Sequence, residues 1–159
     1  QLIERHGDFS NTVLVGLQPR GVLLLDQLIL LLNENGVSSI QKGKLDTTFF
    51  RDDFRRSEVP HNAKATEMEV SIEGKNVVLI DDVLFTGRSI RSALTAIDSY
   101  GRPESIELLV LVDRRFSRHL PIQPDYLGAQ IDALQGDKVK VVWSEGTANN
   151  IVYLEKQNQ

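Results

Sequence analysis

Three short runs of β-branched and aliphatic residues punctuate the chain: Thr12-Val-Leu-Val15, Asn76-Val-Val-Leu-Ile80 and Ile106-Glu-Leu-Leu-Val-Leu-Val112. Runs of this length, apolar with almost no alternation, predict strands buried on both faces of a parallel sheet. Between them the period changes. From Val22 to Asn35, leucines at 23, 24, 28, 31 and 32 follow the i, i+3, i+4, i+7 spacing of a core-facing helix, and Gly36 supplies its stop. Arg88 to Tyr100 repeats the pattern with Ile90, Leu94 and Ile97 before Gly101-Arg-Pro103 ends it. Strand, helix, strand, helix in this order predicts an α/β fold with right-handed crossovers. Two later strands, Val139 to Trp143 and Ile151 to Leu154, joined by a turn at Gly146 to Asn149, are expected to complete the sheet. The stretch from Arg51 to Glu73 has no sustained period. A connection this long, residues 51–73, predicts a lid arm, a hairpin arm or a disordered link.

Composition narrows the class. At 159 residues, residues 1–159 are expected to form one domain, and 41% apolar against 25% charged residues excludes bulk disorder. The absence of cysteine rules out disulfides, thiolate zinc sites and a cysteine nucleophile, and suits a cytoplasmic setting. The longest apolar run, Val22 to Leu32, is broken by Asp26 and Gln27 and falls short of the roughly 20 residues of a membrane span, so no membrane partner is expected. A net charge of −4 weighs against strong sequence-independent binding to nucleic acid. The first residue is Gln, which leads us to expect a further N-terminal segment.

In parallel sheets ligands bind outside the carboxyl ends of the strands, and the densest chemistry lies at one such end, Val77-Val-Leu-Ile-Asp-Asp-Val-Leu-Phe-Thr-Gly-Arg-Ser89. An apolar strand delivers two adjacent carboxylates, Asp81 and Asp82, and the chain then reaches Thr86-Gly-Arg-Ser89 at a helix start. Amides at a helix N-terminus attract phosphate, and Gly87 permits close approach. Carboxylates beside that seat need a different object to face, and a ribose diol or a hydrated magnesium ion meets the requirement. The plainer alternative is that Thr86 only caps the helix. Gly16 and Gly21 have Walker-loop outer spacing, but Val22-Leu23 stands where Lys and Ser or Thr are needed, and no two glycines have dinucleotide spacing. His6, His61 and His119 lack a second histidine at ligand spacing and are expected at the surface.

The stretch Val77 to Ser89 resembles the signature of the type I phosphoribosyltransferases. The resemblance narrows, through Leu45 to Asp53, Gly101 to Ile106, Val110 to Arg114 and Leu120 to Gly128, to the bifunctional pyrimidine-operon regulators with uracil phosphoribosyltransferase activity, and it runs from about Leu2 to Leu154. It implies the type I phosphoribosyltransferase fold, a mainly parallel sheet flanked by helices with a lid arm and a small hood. It also implies transfer from 5-phosphoribosyl-1-pyrophosphate (PRPP) to uracil, giving UMP and pyrophosphate, with Mg2+ as cofactor and a homodimer or higher homo-oligomer as the assembly. By that resemblance Asp81 and Asp82 hold the ribose hydroxyls and, indirectly, the metal. The donor is bound by Pro19, Arg20 and Gly21 on the pyrophosphate loop and by the run Asp81, Asp82, Val83, Leu84, Phe85, Thr86, Gly87, Arg88 and Ser89. Arg20 and Arg51 answer the charge of the leaving pyrophosphate. Asp113 and Arg114 begin the hood, where backbone groups recognise uracil, unless the two simply pair with each other.

Two departures from that family matter. Gln18 stands where members commonly carry Lys, so the pyrophosphate loop has one charge fewer, while Pro19 makes a cis peptide inexpensive, about 0.5–1 kcal/mol against roughly 3 before other residues. An ordinary turn proline is the alternative. The resemblance also implies a pyrimidine leader RNA as partner and, as a second functional reading, a UMP-sensing attenuator with little catalysis. Gln123 and Ala129 replace an Arg and a Lys that many members have, which leaves Arg114, Arg115 and Arg118 as a smaller basic patch or a solvated loop. Two further readings stay open: a receiver-like acid pair that accepts a phosphoryl group, and a donor-binding protein with a degenerate base site.

Overall fold

The computed structural model describes residues 1–50, 65–134, 136–144 and 150–156. Helix α1 (Leu2–His6) leads into strand β1 (Thr12–Leu17), helix α2 (Gly21–Glu34) and strand β2 (Gln41–Leu45), and a 3-10 turn follows at Thr48–Phe50. Strand β3 (Asn76–Leu84), helix α3 (Arg88–Ile97), strand β4 (Ser105–Arg115) and strand β5 (Tyr126–Asp132) come next, then strands β6 (Lys138–Val142) and β7 (Ile151–Glu155). The first five strands form one parallel sheet in the order β2-β1-β3-β4-β5.

The unbroken apolar runs are explained by two cores. Val13, Val15, Val77, Leu79, Leu108 and Val110 face α3, whose Ile90, Ala93, Ala96 and Ile97 complete one cluster. The intervening Leu14, Val78 and Ile80 face α2, against Leu24, Leu25 and Leu32. With helices on opposite faces, the direction in which successive strands are added to the sheet reverses between the parallel neighbours β1 and β3, and a crevice opens at their carboxyl ends.

Several expectations change. Strands β6 and β7 do not complete the sheet. They pair antiparallel with each other in a separate ribbon, since a short connection favours a hairpin while parallel addition needs a long crossover. The edge strands β2 and β5 and the short α1 escape the hydrophobic pattern: β5 buries only Tyr126, so its sequence carries little apolar signal. The turn expected at Gly146 to Asn149 lies outside the described residues, as do residues 51–64 of the expected lid arm, with Arg51 and His61. Its last part is no arm. Glu67 bridges Lys44 of β2, Met68 and Val70 pack on the core, and Ile72 is fully buried within it.

Candidate functional site

The crevice at the β1/β3 reversal is a cleft of about 430 Å3. Gln18, Pro19 and Arg20 line it from the loop after β1, Thr47 and Thr48 from the chain after β2, and Asp81, Asp82, Val83, Phe85 and Ser89 from the β3–α3 passage. Arg114 of β4 and Val139 of β6 close the opposite side. The two loops touch because Gly21 opens α2 directly against β3. A Cβ there would lie 2.2 Å from the Ile80 carbonyl oxygen, so any side chain would force them apart. The Gln18–Pro19 peptide bond is cis.

Both carboxylates belong to β3 itself, which continues through them to Leu84. The backbone amide of Asp82 donates to Asp81 Oδ1 at 3.0 Å. Burial first, and the neighbouring Asp82 charge second, push the Asp81 carboxyl up to about 7. Burial also raises Asp82, against the pull of Arg20. Arg20 Nε lies 3.0 Å from Asp82 Oδ2, yet that buried oxygen has no aligned hydrogen bond with any described residue. The same guanidinium donates through Nη2 to the Val141 carbonyl at 3.3 Å, tying the loop after β1 to β6. Such an arrangement of half-satisfied charge is costly on its own and suits a polyhydroxylated or anionic ligand.

At the start of α3, Gly87 adopts a left-handed conformation, φ 88°, and leaves the first turn open. The Arg88 amide donates to the Thr86 hydroxyl at 3.4 Å, a local turn bond, while the N-cap position itself is Gly87 and has no side-chain cap. Ser89 faces the cleft, while Thr86 lines an adjoining cavity with Phe85, Arg114, Phe116 and His119.

Not every expected site residue is placed to touch a ligand. Leu84 is buried in the α3 core, so only its backbone is near the cleft. The Asp113 carboxylate is outside the cleft lining and pairs with Arg118 and with Gln130 Nε2 at 3.2 Å, not with Arg114. Arg115 is held by Asp132, with Nη2 at 2.7 Å, and Arg114 is buried at 6% exposure. The expected basic patch is therefore neutralised or covered at all three arginines. His6, expected at the surface, has a side chain only 3% exposed.

Sequence reasoning overlooked Val139 and the Thr47–Thr48 pair as cleft residues. Val139 was read as an ordinary sheet position, and only the separate ribbon carries it across the crevice. The two threonines lie within the Leu45 to Asp53 stretch that carries the resemblance, which assigned them no role.

The Phosphoribosyl transferase domain family matches residues 1–148. The Bifunctional protein PyrR of Picosynechococcus sp. is 41% identical over 156 residues, 98% of this chain and 87% of that protein. The Bifunctional protein PyrR of Gloeothece citriformis is 44% identical over 146 residues, covering 89% and 78%. Among solved structures, a hypoxanthine phosphoribosyl transferase of Trypanosoma cruzi superposes with a TM-score of 0.64 over 83% of this chain and 69% of that chain; at 18% identity the likeness concerns the fold.

Proposed function

The chain belongs to the phosphoribosyltransferase family, and from that premise we propose that it is a uracil phosphoribosyltransferase that converts uracil and PRPP to UMP and pyrophosphate. The observation that carries this reading is the meeting of Arg20, Asp81, Asp82 and the open first turn of α3 in one cleft.

The anomeric carbon loses its bond to pyrophosphate and gains one to a uracil ring nitrogen on the opposite face, and that nitrogen's proton leaves. Positive charge grows on the sugar and negative charge on the leaving group. Asp81 and Asp82 face the ribose hydroxyls and hold the ring in line. Arg20, released from Asp82, meets the pyrophosphate, and a fixed cation in a partly dry cleft stabilises departing charge more than water does. The amides before α3, with Ser89, seat the 5-phosphate. Pro19 and Gly21 shape the loop, and Val83 and Phe85 border the sugar and base. Leu84, Gly87 and Arg88 contribute through backbone, and Arg51 is assigned to the leaving group from the resemblance.

Magnesium fits this donor set. Among the described residues no three acidic or histidine side chains cluster, but a hydrated magnesium ion needs only one or two carboxylates beside substrate oxygens, and Asp82 offers a buried oxygen without a hydrogen bond. When bound it supplies charge neutralisation to the diphosphate.

Leader-RNA attenuation is the second reading, and the pairing of Arg115 and Arg118 and the burial of Arg114 reduce its support. RNA affinity that is tight and falls steeply with salt would restore it. A homo-oligomer is supported by Leu23, Leu30 and Leu31 exposed along α2. No described helix is long and apolar enough to cross a membrane, which accords with a cytoplasmic site.

The test is UMP formation from uracil and PRPP, with Arg20→Ala raising the KM for PRPP. Pyrophosphate release that is indifferent to uracil would replace transfer with hydrolysis or donor binding.

A further inference from the structure

The turn that leads into α3 is held from behind by a segment for which the mechanism has no use. After β4 the chain runs from Arg118 to Ile122 against Phe85, Thr86 and Gly87. A Cβ on Gly87 would lie 3.3 Å from Ile122 Cδ1, 3.5 Å from Leu120 Cβ and 3.6 Å from Arg118 Cδ, so that face of the turn is already packed. Two hydrogen bonds join the segments. Arg118 Nη1 donates to the Phe85 carbonyl at 2.5 Å, and the His119 amide donates to the Thr86 carbonyl at 3.0 Å.

These bonds fix more than the carbonyls. Both peptide units are trans, and in a planar trans unit the C=O and the N–H point in opposite directions. Turning the Phe85 carbonyl toward Arg118 therefore turns the Thr86 amide away from it, and the Thr86 carbonyl sets the Gly87 amide in the same way. Neither amide donates to another group among the described residues. Successive amides turned to one side make a concave seat for an anion, and here they continue into the open first turn of α3. Arg118 is itself fixed. Its Nη2 pairs with Asp113 of β4, whose carboxylate is 8% exposed and whose other oxygen accepts from Gln130 Nε2 of β5 at 3.2 Å. A buried carboxylate that aims a guanidinium at one carbonyl sets a direction as well as a distance.

We propose that Arg118 is a positioning residue for the 5-phosphate. It does not touch the ligand; by holding the Phe85 carbonyl it aims the Thr86 amide, and with the His119 backbone the Gly87 amide, into the seat. This rests on the transferase reading above, in which that seat takes the 5-phosphate of donor and product.

Equilibrium binding of two ligands that occupy different parts of the cleft tests this without turnover: ribose 5-phosphate for the seat, and pyrophosphate for the loop after β1. Arg118→Met keeps the stem against Gly87 and removes the donors. It is expected to weaken ribose 5-phosphate by at least about tenfold, the loss of one hydrogen bond to a charged group, and to leave pyrophosphate within about twofold. Arg118→Lys, which still donates to the carbonyl, is expected to recover most of that affinity. Where the methionine variant fails to fold because Asp113 is stranded, the double variant Asp113→Asn with Arg118→Met removes that charge and carries the same expectation. Unchanged ribose 5-phosphate affinity in a folded variant overturns the proposal. An equal loss for both ligands does so too, since it makes Arg118 a support of the fold as a whole, and so does an unmodified protein that binds no ribose 5-phosphate. If the selective loss is seen but uracil and PRPP give no UMP, the transferase reading fails and the assignment of Arg118 stands.

Discussion

The same sheet buries polar groups at both ends, and the two ends treat them in opposite ways. At the amino edge, His6 Nδ1 is 3.0 Å from the Thr12 hydroxyl, and its Nε2 is 3.0 Å from Glu107 Oε2 and from the Tyr126 hydroxyl. Tyr126 donates to Glu107 at 2.6 Å, and Arg5 pairs with the other Glu107 oxygen at 2.7 Å. Burial first and Glu107 second push the Tyr126 phenol above its ordinary range. Both oxygens of the central carboxylate are occupied, and the cluster pins α1 to β1, β4 and β5. At the carboxyl edge, Asp81 is held near neutrality's boundary, Asp82 has an oxygen without a hydrogen bond and Arg114 a nitrogen without one. Saturated polar networks stabilise; unsaturated ones wait for a ligand and are maintained at the expense of stability.

Breaking the saturated end has the largest expected effect. Glu107→Ala strands His6, Tyr126 and Arg5 and costs about 3 kcal/mol in urea unfolding, while the KM for PRPP stays put; a change in KM with intact stability would reverse the roles of the two ends. At the unsaturated end, Asp82→Asn is expected to lower UMP formation by about 100-fold and leave unfolding nearly unchanged. Unchanged turnover would remove the acid pair from the mechanism.

The next effect is a pH dependence. Asp81 has a raised value, from 3.8 to about 7, so between those limits the folded chain keeps a proton that the unfolded chain has released. Stability of the ligand-free protein therefore falls as pH rises from about 4 to about 7, and Asp82, raised by burial, adds in the same direction. Asp81→Asn is expected to flatten that slope and raise the Tm at pH 8 by a few degrees; an unaltered slope would place the titrating group elsewhere. Smallest of all, Arg115→Ala removes an exposed pair with Asp132 and is expected to cost under about 0.5 kcal/mol, with no change in UMP binding.

Both ends were unequally legible. The acid pair and the helix start that follows it are contiguous, so Val77 to Ser89 displays them in one stretch. The amino-edge network draws on positions 5, 6, 12, 107 and 126, and no local pattern marks His6 as buried. Arg114 reads in sequence as one of a basic trio, and only packing separates it from Arg115 and Arg118, which neutralise Asp132 and Asp113.

What the sequence determined by itself was the parallel core. Runs such as Asn76 to Ile80, apolar at every step, can be buried only where both faces are covered, and the helical periods supply the covers. Tertiary structure alone decided which polar groups are satisfied and which are not. It also took β6 and β7 out of the main sheet, so that Val139 reaches the cleft. Satisfaction depends on acceptors a hundred residues away, and a strand at a sheet edge or in a separate ribbon needs too little burial to leave a pattern in its own residues.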